Sequence, residues 1–186
     1  MRKLPSIGNN VPHSFNVIIE IGALSTPVKY EMDKDTGLLF VDRFMPTSMF
    51  YPCNYGFIPH TIAGDGDPVD VLVHSTCAII PGAVIEVRPI GVLLTEDEKG
   101  KDAKLLAVPL TKADPMLAHI QSYRDLPEIF LSQIQHFFER YKDLENGKWV
   151  KVDGWDGVKM AQRIVLDSME LADERFASGN CANNDF

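Results

Sequence analysis

The chain changes its hydrophobic period about two-thirds of the way along, and that change limits the folds open to it. From Phe15 to Ile21 the residues alternate, with Phe15, Val17, Ile19 and Ile21 on one face and Asn16 and Glu20 on the other. That spacing predicts a strand. Val28 to Met32 alternates again, DKDTG ending at Gly37 signals a turn, and Leu38 to Arg43 returns, which predicts a hairpin. Met45 to Gly66 is rich in Pro, Gly and aromatics and reads as a structured loop, and Val69 to His74 is a short β-branched run. Ala83 to Leu94 is apolar, but Pro89 argues against a continuous central strand there. Lys104 to Val108 is expected to pair with it across the TEDEKGKD turn.

The period then lengthens. Pro127 stands at a helix start after Asp125, and Ile129, Phe130, Ile134, Phe137 and Tyr141 recur at helical spacing. A short strand around Trp149 to Val152 precedes a second amphipathic helix, Val158 to Phe176, and the polar ending 176–186 reads as frayed. Strands followed by helices predict an α+β fold, a compact β-barrel with helices packed outside. Periodicity does not fix barrel closure.

No repeat or linker divides the 186 residues, so one domain spans 1–186. The formal net charge of −8 argues against nucleic acid as a partner, because phosphate-backbone binding needs a basic surface. An acidic protein can still bind a phosphorylated small molecule if cations lie between the two sets of charges. Cys53, Cys77 and Cys181 form neither a disulfide framework nor a zinc pattern. MRKLPSIGNNVPHSF has no apolar signal core, and no stretch reaches the roughly 20 residues that cross a bilayer. The expectation is a cytoplasmic protein without membrane contact.

The sharpest local feature is Asp65-Gly66-Asp67-Pro68-Val69-Asp70, three carboxylates within six residues. Their mutual repulsion needs protons or cations to relieve it, and carboxylate oxygens suit hard ions such as Mg²⁺. Gly66 frees the backbone and Pro68 stiffens it, so several oxygens can be aimed at one point. A solvated acidic turn accounts for the segment equally well. An EF-hand does not, since Val69, Asp70 and Thr76 stand where that loop needs an oxygen ligand, Gly and Glu. A second acidic group, Glu96, Asp97, Glu98 and Asp102, is either a charged hairpin tip or a segment from which Asp97 and Asp102 complete metal sites begun by Asp65 and Asp70. Glu20 and Glu31, single carboxylates on strands, read as solvated.

Lys29 and Arg43 lie on neighbouring strands. Lys29 shares a strand face with Glu31, so a surface ion pair across the hairpin, worth at most about 1 kcal/mol, is one account; the other is that both cations contact a common phosphate, for which the guanidinium fork is suited. Tyr51 and Tyr55 in FYPCNYGFIP read first as core plugs, as does Tyr141 at the end of an apolar stripe. Lys142 complements a helix C-terminus. His13, His60, His74, His119 and His136 form no triad pattern.

Together, VIIEI, PVKYEMDKDTG, LFVDRFM, MFYPCNYGFIPHT, DGDPVDVLV, EDEKGKDAKL and HFFERYKDLENGKWVKVDGW resemble the soluble family I inorganic pyrophosphatases of bacterial type. The D-G-D-P-x-D-V motif is specific to that family. The resemblance implies a small closed five-stranded β-barrel (OB-like) with flanking helices, and a homo-oligomer, a hexamer in that family. It implies hydrolysis of pyrophosphate to two phosphates by direct in-line attack of a metal-activated water, without a phosphoenzyme. It implies several Mg²⁺ ions per site, with Mn²⁺ or other divalent ions as substitutes. By the same resemblance Asp65, Asp70, Asp97 and Asp102 hold metal, and Asp67 is the general base. Lys29, Arg43, Tyr55, Lys104, Tyr141 and Lys142 contact phosphoryl groups. Glu20, Glu31 and Tyr51 support them. The rival expectation is a non-catalytic barrel that binds divalent metal.

Overall fold

The computed structural model describes residues 4–34 and 36–177. The sequence-based expectation of a frayed tail falls largely on 178–186, outside the described residues. Among the described residues there are nine strands and two α-helices, and the elements expected from the sequence come in the expected order. They are β1 Phe15–Ile21, β2 Val28–Asp33, β3 Leu38–Phe44, β4 Asn54–Phe57, β5 Asp70–Val73, β6 Val84–Asp97, β7 Gly100–Lys101, β8 Lys104–Pro109, α1 Glu128–Arg140, β9 Val150–Asp156 and α2 Val158–Ala177. The class is α+β with a mainly β core.

The principal sheet is organised around β6. One stretch of it pairs antiparallel with β1, from Val84 to Val87. Its other edge takes β8, from Val87 to Leu93, and β9 joins from Val92 to Asp97. β1 also pairs with β4, β4 with β5, and β5 runs parallel to β8. Among the described residues the β2–β3 hairpin pairs only within itself.

Two expectations are corrected here. Pro89 does not interrupt β6, which runs unbroken for 14 residues. Pairing to β1 ends at Val87 and pairing to β9 begins at Val92, and the register slips between Pro89 and Gly91. A strand tolerates the missing N–H at such an irregularity. Within the stretch read as a loop, Asn54–Phe57 forms β4, buried at all four positions. Burial on both faces leaves no alternation to read.

Alternation elsewhere divides the core. Leu72, Leu106 and Val108 join Ile134, Phe137 and Phe138 of α1 in one cluster. Val71, Val73, Leu105 and Ala107 join Ala161 and Val165 of α2 in another. Phe137 and Phe138 are 2% and 1% exposed, so truncating either would cost about 3–5 kcal/mol. Ile129 was expected on this stripe, but it faces outward at 70% exposure. No helix among the described residues is long and apolar enough to cross a membrane.

Candidate active site

All fourteen nominated residues line one cavity of about 510 Å³. The hairpin forms one wall. Lys29 and Arg43 face each other in register across β2 and β3, and Lys29 Nζ bonds the carboxylate of Glu31. Arg43 donates to Asp42 at 2.6 Å and to Glu145.

The DGDPVD segment contributes Asp65, Asp67, Pro68 and Asp70 to the lining. Gly66 adopts φ +92°, a conformation costly for residues with a side chain. Asp67 N–H donates to Asp65 Oδ1 at 3.1 Å, and Ala63 N–H to the Asp67 carbonyl at 2.7 Å. Val69 is buried and anchors the turn, and Asp70 opens β5. Parallel pairing sets Asp70 beside Lys104, the first residue of β8. Asp102 N–H donates to the Thr95 carbonyl at 2.9 Å, which holds that carboxylate above the same strands.

Lys104 Nζ bonds both Asp70 and Asp102, so these two carboxylates converge on one cationic point. Burial works against the Lys104 charge, but Asp70 and Asp102 outweigh it and hold the ammonium protonated. Burial pushes the Asp102 carboxyl up, and Lys104 only partly offsets that. Asp65 is also raised by burial. Glu20 is not solvated as its strand position suggested. It is 8% exposed, accepts from Met32 N–H at 2.7 Å, and is pushed by burial to about 8.

Among the described residues no three acidic, His or Cys side chains close on a single point. Carboxylates repel, and here ammonium groups draw them up in pairs. The donor chemistry still fits a hard divalent ion: oxygen-only, anionic, partly desolvated, and already gathered about a positive charge.

The three tyrosines are both core and lining. Tyr51, Tyr55 and Tyr141 are 2%, 8% and 8% exposed. Tyr51 packs at 5.0 Å from Tyr55 and 4.7 Å from Phe137, and Tyr141 stacks on Phe137 at 5.1 Å. Burial raises all three phenols, so they remain neutral donors.

The lining also includes Asp33, Lys34, Glu98, Lys99 and Lys148, which the sequence reading did not nominate. Lys99 Nζ lies 3.4 Å from Asp67 Oδ2, and Glu98 receives Lys148 at 3.5 Å. Their sequence context, charged residues in polar turns, gives no signal that separates them from solvated surface.

A family model described as inorganic pyrophosphatase matches residues 17–173. The chain belongs to the inorganic pyrophosphatase family. The inorganic pyrophosphatase of Bradyrhizobium diazoefficiens is 59% identical over 165 residues, covering 89% of this chain and 93% of that one. A crystal structure of the inorganic pyrophosphatase from Thermus thermophilus matches with a TM-score of 0.86 at 47% identity, covering 92% and 97%. That of an inorganic phosphatase from Anaplasma phagocytophilum matches with a TM-score of 0.89 at 54% identity, covering 90% and 98%. Every cavity residue of this pyrophosphatase-family chain lies inside the matched span.

Proposed function

We propose that this chain hydrolyses inorganic pyrophosphate to two phosphates with Mg²⁺ in the cavity. The observation that carries this reading is a single cavity holding both the carboxylates gathered by Lys104 and the cations Lys29 and Arg43. A module that only bound metal would have no use for the second set.

Asp65, Asp70, Asp97 and Asp102 would hold the divalent ions, and Mn²⁺ would fit the same oxygen donors. When bound, such ions supply charge neutralisation and Lewis acidity. The remaining chemistry belongs to the side chains. Asp67 is 61% exposed and sits on the fixed Gly66 turn, so its carboxylate can take a proton from a water entering the cavity. The water oxygen bonds one phosphorus, the P–O bond to the bridging oxygen breaks, and the leaving phosphate takes the electron pair. Lys29, Arg43, Lys104 and Lys142, with the neutral Tyr55 and Tyr141 hydroxyls, bind and orient the phosphoryl oxygens. No phosphoenzyme is required.

The circuit of pairings that leaves β1 through β4 and returns through β6 supports a small closed five-stranded barrel, OB-like, with helices outside. We propose a homo-oligomer, a hexamer by family resemblance, in the cytoplasm. The exposed apolar residues Val41 and Phe44 on β3 support a subunit contact. Light scattering tests the assembly.

The deciding experiment follows phosphate release from pyrophosphate in Mg²⁺, with and without a chelator. Release that the chelator abolishes is the expected result. No release in either condition sinks the proposal.

A further inference from the structure

We propose that Glu145 is a positioning residue that aims Arg43 into the cavity, an assignment that rests on the pyrophosphatase reading above. Arg43 lines the cavity and Glu145 does not. Glu145 lies in the turn that follows α1, where its N–H donates to the Lys142 carbonyl at 2.8 Å. Its side chain is 11% exposed and Arg43 is 27% exposed. Arg43 Nε and Nη2 both donate to Glu145 Oε1, at 3.4 and 3.3 Å. Nη1 donates to Asp42 at 2.6 Å. A guanidinium carries five N–H donors in a rigid plane. Three are used here, leaving one on Nη1 and one on Nη2, the two ends of the fork. Those two suit the oxygens of one phosphoryl group.

The position needs such a tie. The β2–β3 hairpin shares no ladder with the principal sheet, and the 43–145 contact joins it to the segment carrying Tyr141 and Lys142. Nine carboxylates line the cavity. Lys104 is already drawn onto two of them. A guanidinium released from Glu145 has the same attraction to follow. Bound at its Nε edge, it keeps its charge and its orientation.

The test compares Glu145→Gln and Glu145→Asp with wild type. It uses steady-state kinetics on pyrophosphate at saturating Mg²⁺, isothermal titration with inorganic phosphate and Mg²⁺, and melting temperature. Glu145→Gln is expected to raise KM and the phosphate Kd about tenfold while kcat changes less than about threefold, the size expected when a charge-assisted contact is loosened. Glu145→Asp should recover part of the loss. In an Arg43→Ala background Glu145→Gln should have no further effect on phosphate binding. Unchanged KM and Kd, an equal loss without Arg43, or a loss that tracks a fall in melting temperature would each overturn the assignment. If wild type released no phosphate from pyrophosphate, the reading of the site would fall, and the phosphate titration would still decide the role of Glu145.

Discussion

Lys142 Nζ stands 2.8 Å from Asp97 Oδ2, and the two side chains are 8% and 9% exposed. The pair fastens the end of β6 to the segment after α1. Removing one member strands the other, so Lys142→Ala should destabilise the chain by about 3 kcal/mol in urea unfolding. Burial works against the Asp97 charge, but Lys142 and the Lys99 amide outweigh it and hold the carboxyl below its usual value of 3.8. The folded value lies below the unfolded one. The stabilisation is therefore present above about pH 4 and lost as pH falls through the folded value. Lys142→Ala should flatten that acid limb, and an unaltered limb would remove the pair from the account.

Asp67 carries little structural burden at 61% exposure. Asp67→Asn should leave the melting temperature unchanged and lower kcat by about 10²–10⁴-fold. Near-wild-type turnover at saturating Mg²⁺ would exclude it as the proton acceptor.

Glu20 behaves in the opposite sense to Asp97. Burial pushes it to about 8, above its ordinary 4.5, with the Met32 amide opposing. Stability from this group is full below pH 4.5 and lost as pH rises towards 8, because the unfolded chain releases the proton more readily. In chelator, wild type should therefore lose melting temperature between pH 5 and 8 relative to Glu20→Gln. Parallel melting curves for the two proteins would refute the burial argument.

Gly56 packs β4 against β1 without space for a side chain. A Cβ there would lie 2.0 Å from the Ile18 carbonyl oxygen, which is backbone and cannot rotate aside. Gly56→Ala should cost about 3 kcal/mol or more and lower soluble yield. A variant that melts like wild type would show that the two strands can separate freely.

The helices announced themselves because solvent and core select different residues around each, as with buried Ile134, Phe137 and Phe138 against exposed Ile129 on α1. β1 was legible from the alternation of its residue types, although six of its seven positions are buried in the fold, and the hairpin from its turn signal. β4 is buried throughout and gave no period, and the gap beside Pro89 depends on where β1 stops and β9 starts, a tertiary matter. In the site, the carboxylates of DGDPVD stood out because their clustering is costly. Lys29, Arg43 and the tyrosines gained meaning only in combination with the family motif. Glu145 carried no signal, since a Glu in a polar turn is ordinary until Arg43, 102 positions away, is found beside it.

The place of β6 has a consequence for how the chain is made. Its partners range from Phe15 to Asp156, so the ladder it anchors cannot be completed until almost all of the polypeptide is available. Contacts so distant in sequence must overcome a large closure entropy before they return any stabilisation, which slows folding relative to a helical bundle of equal size. During synthesis β1 must therefore wait, one edge open, for β6 to leave the ribosome, and the far end of β6 must wait in turn for β9.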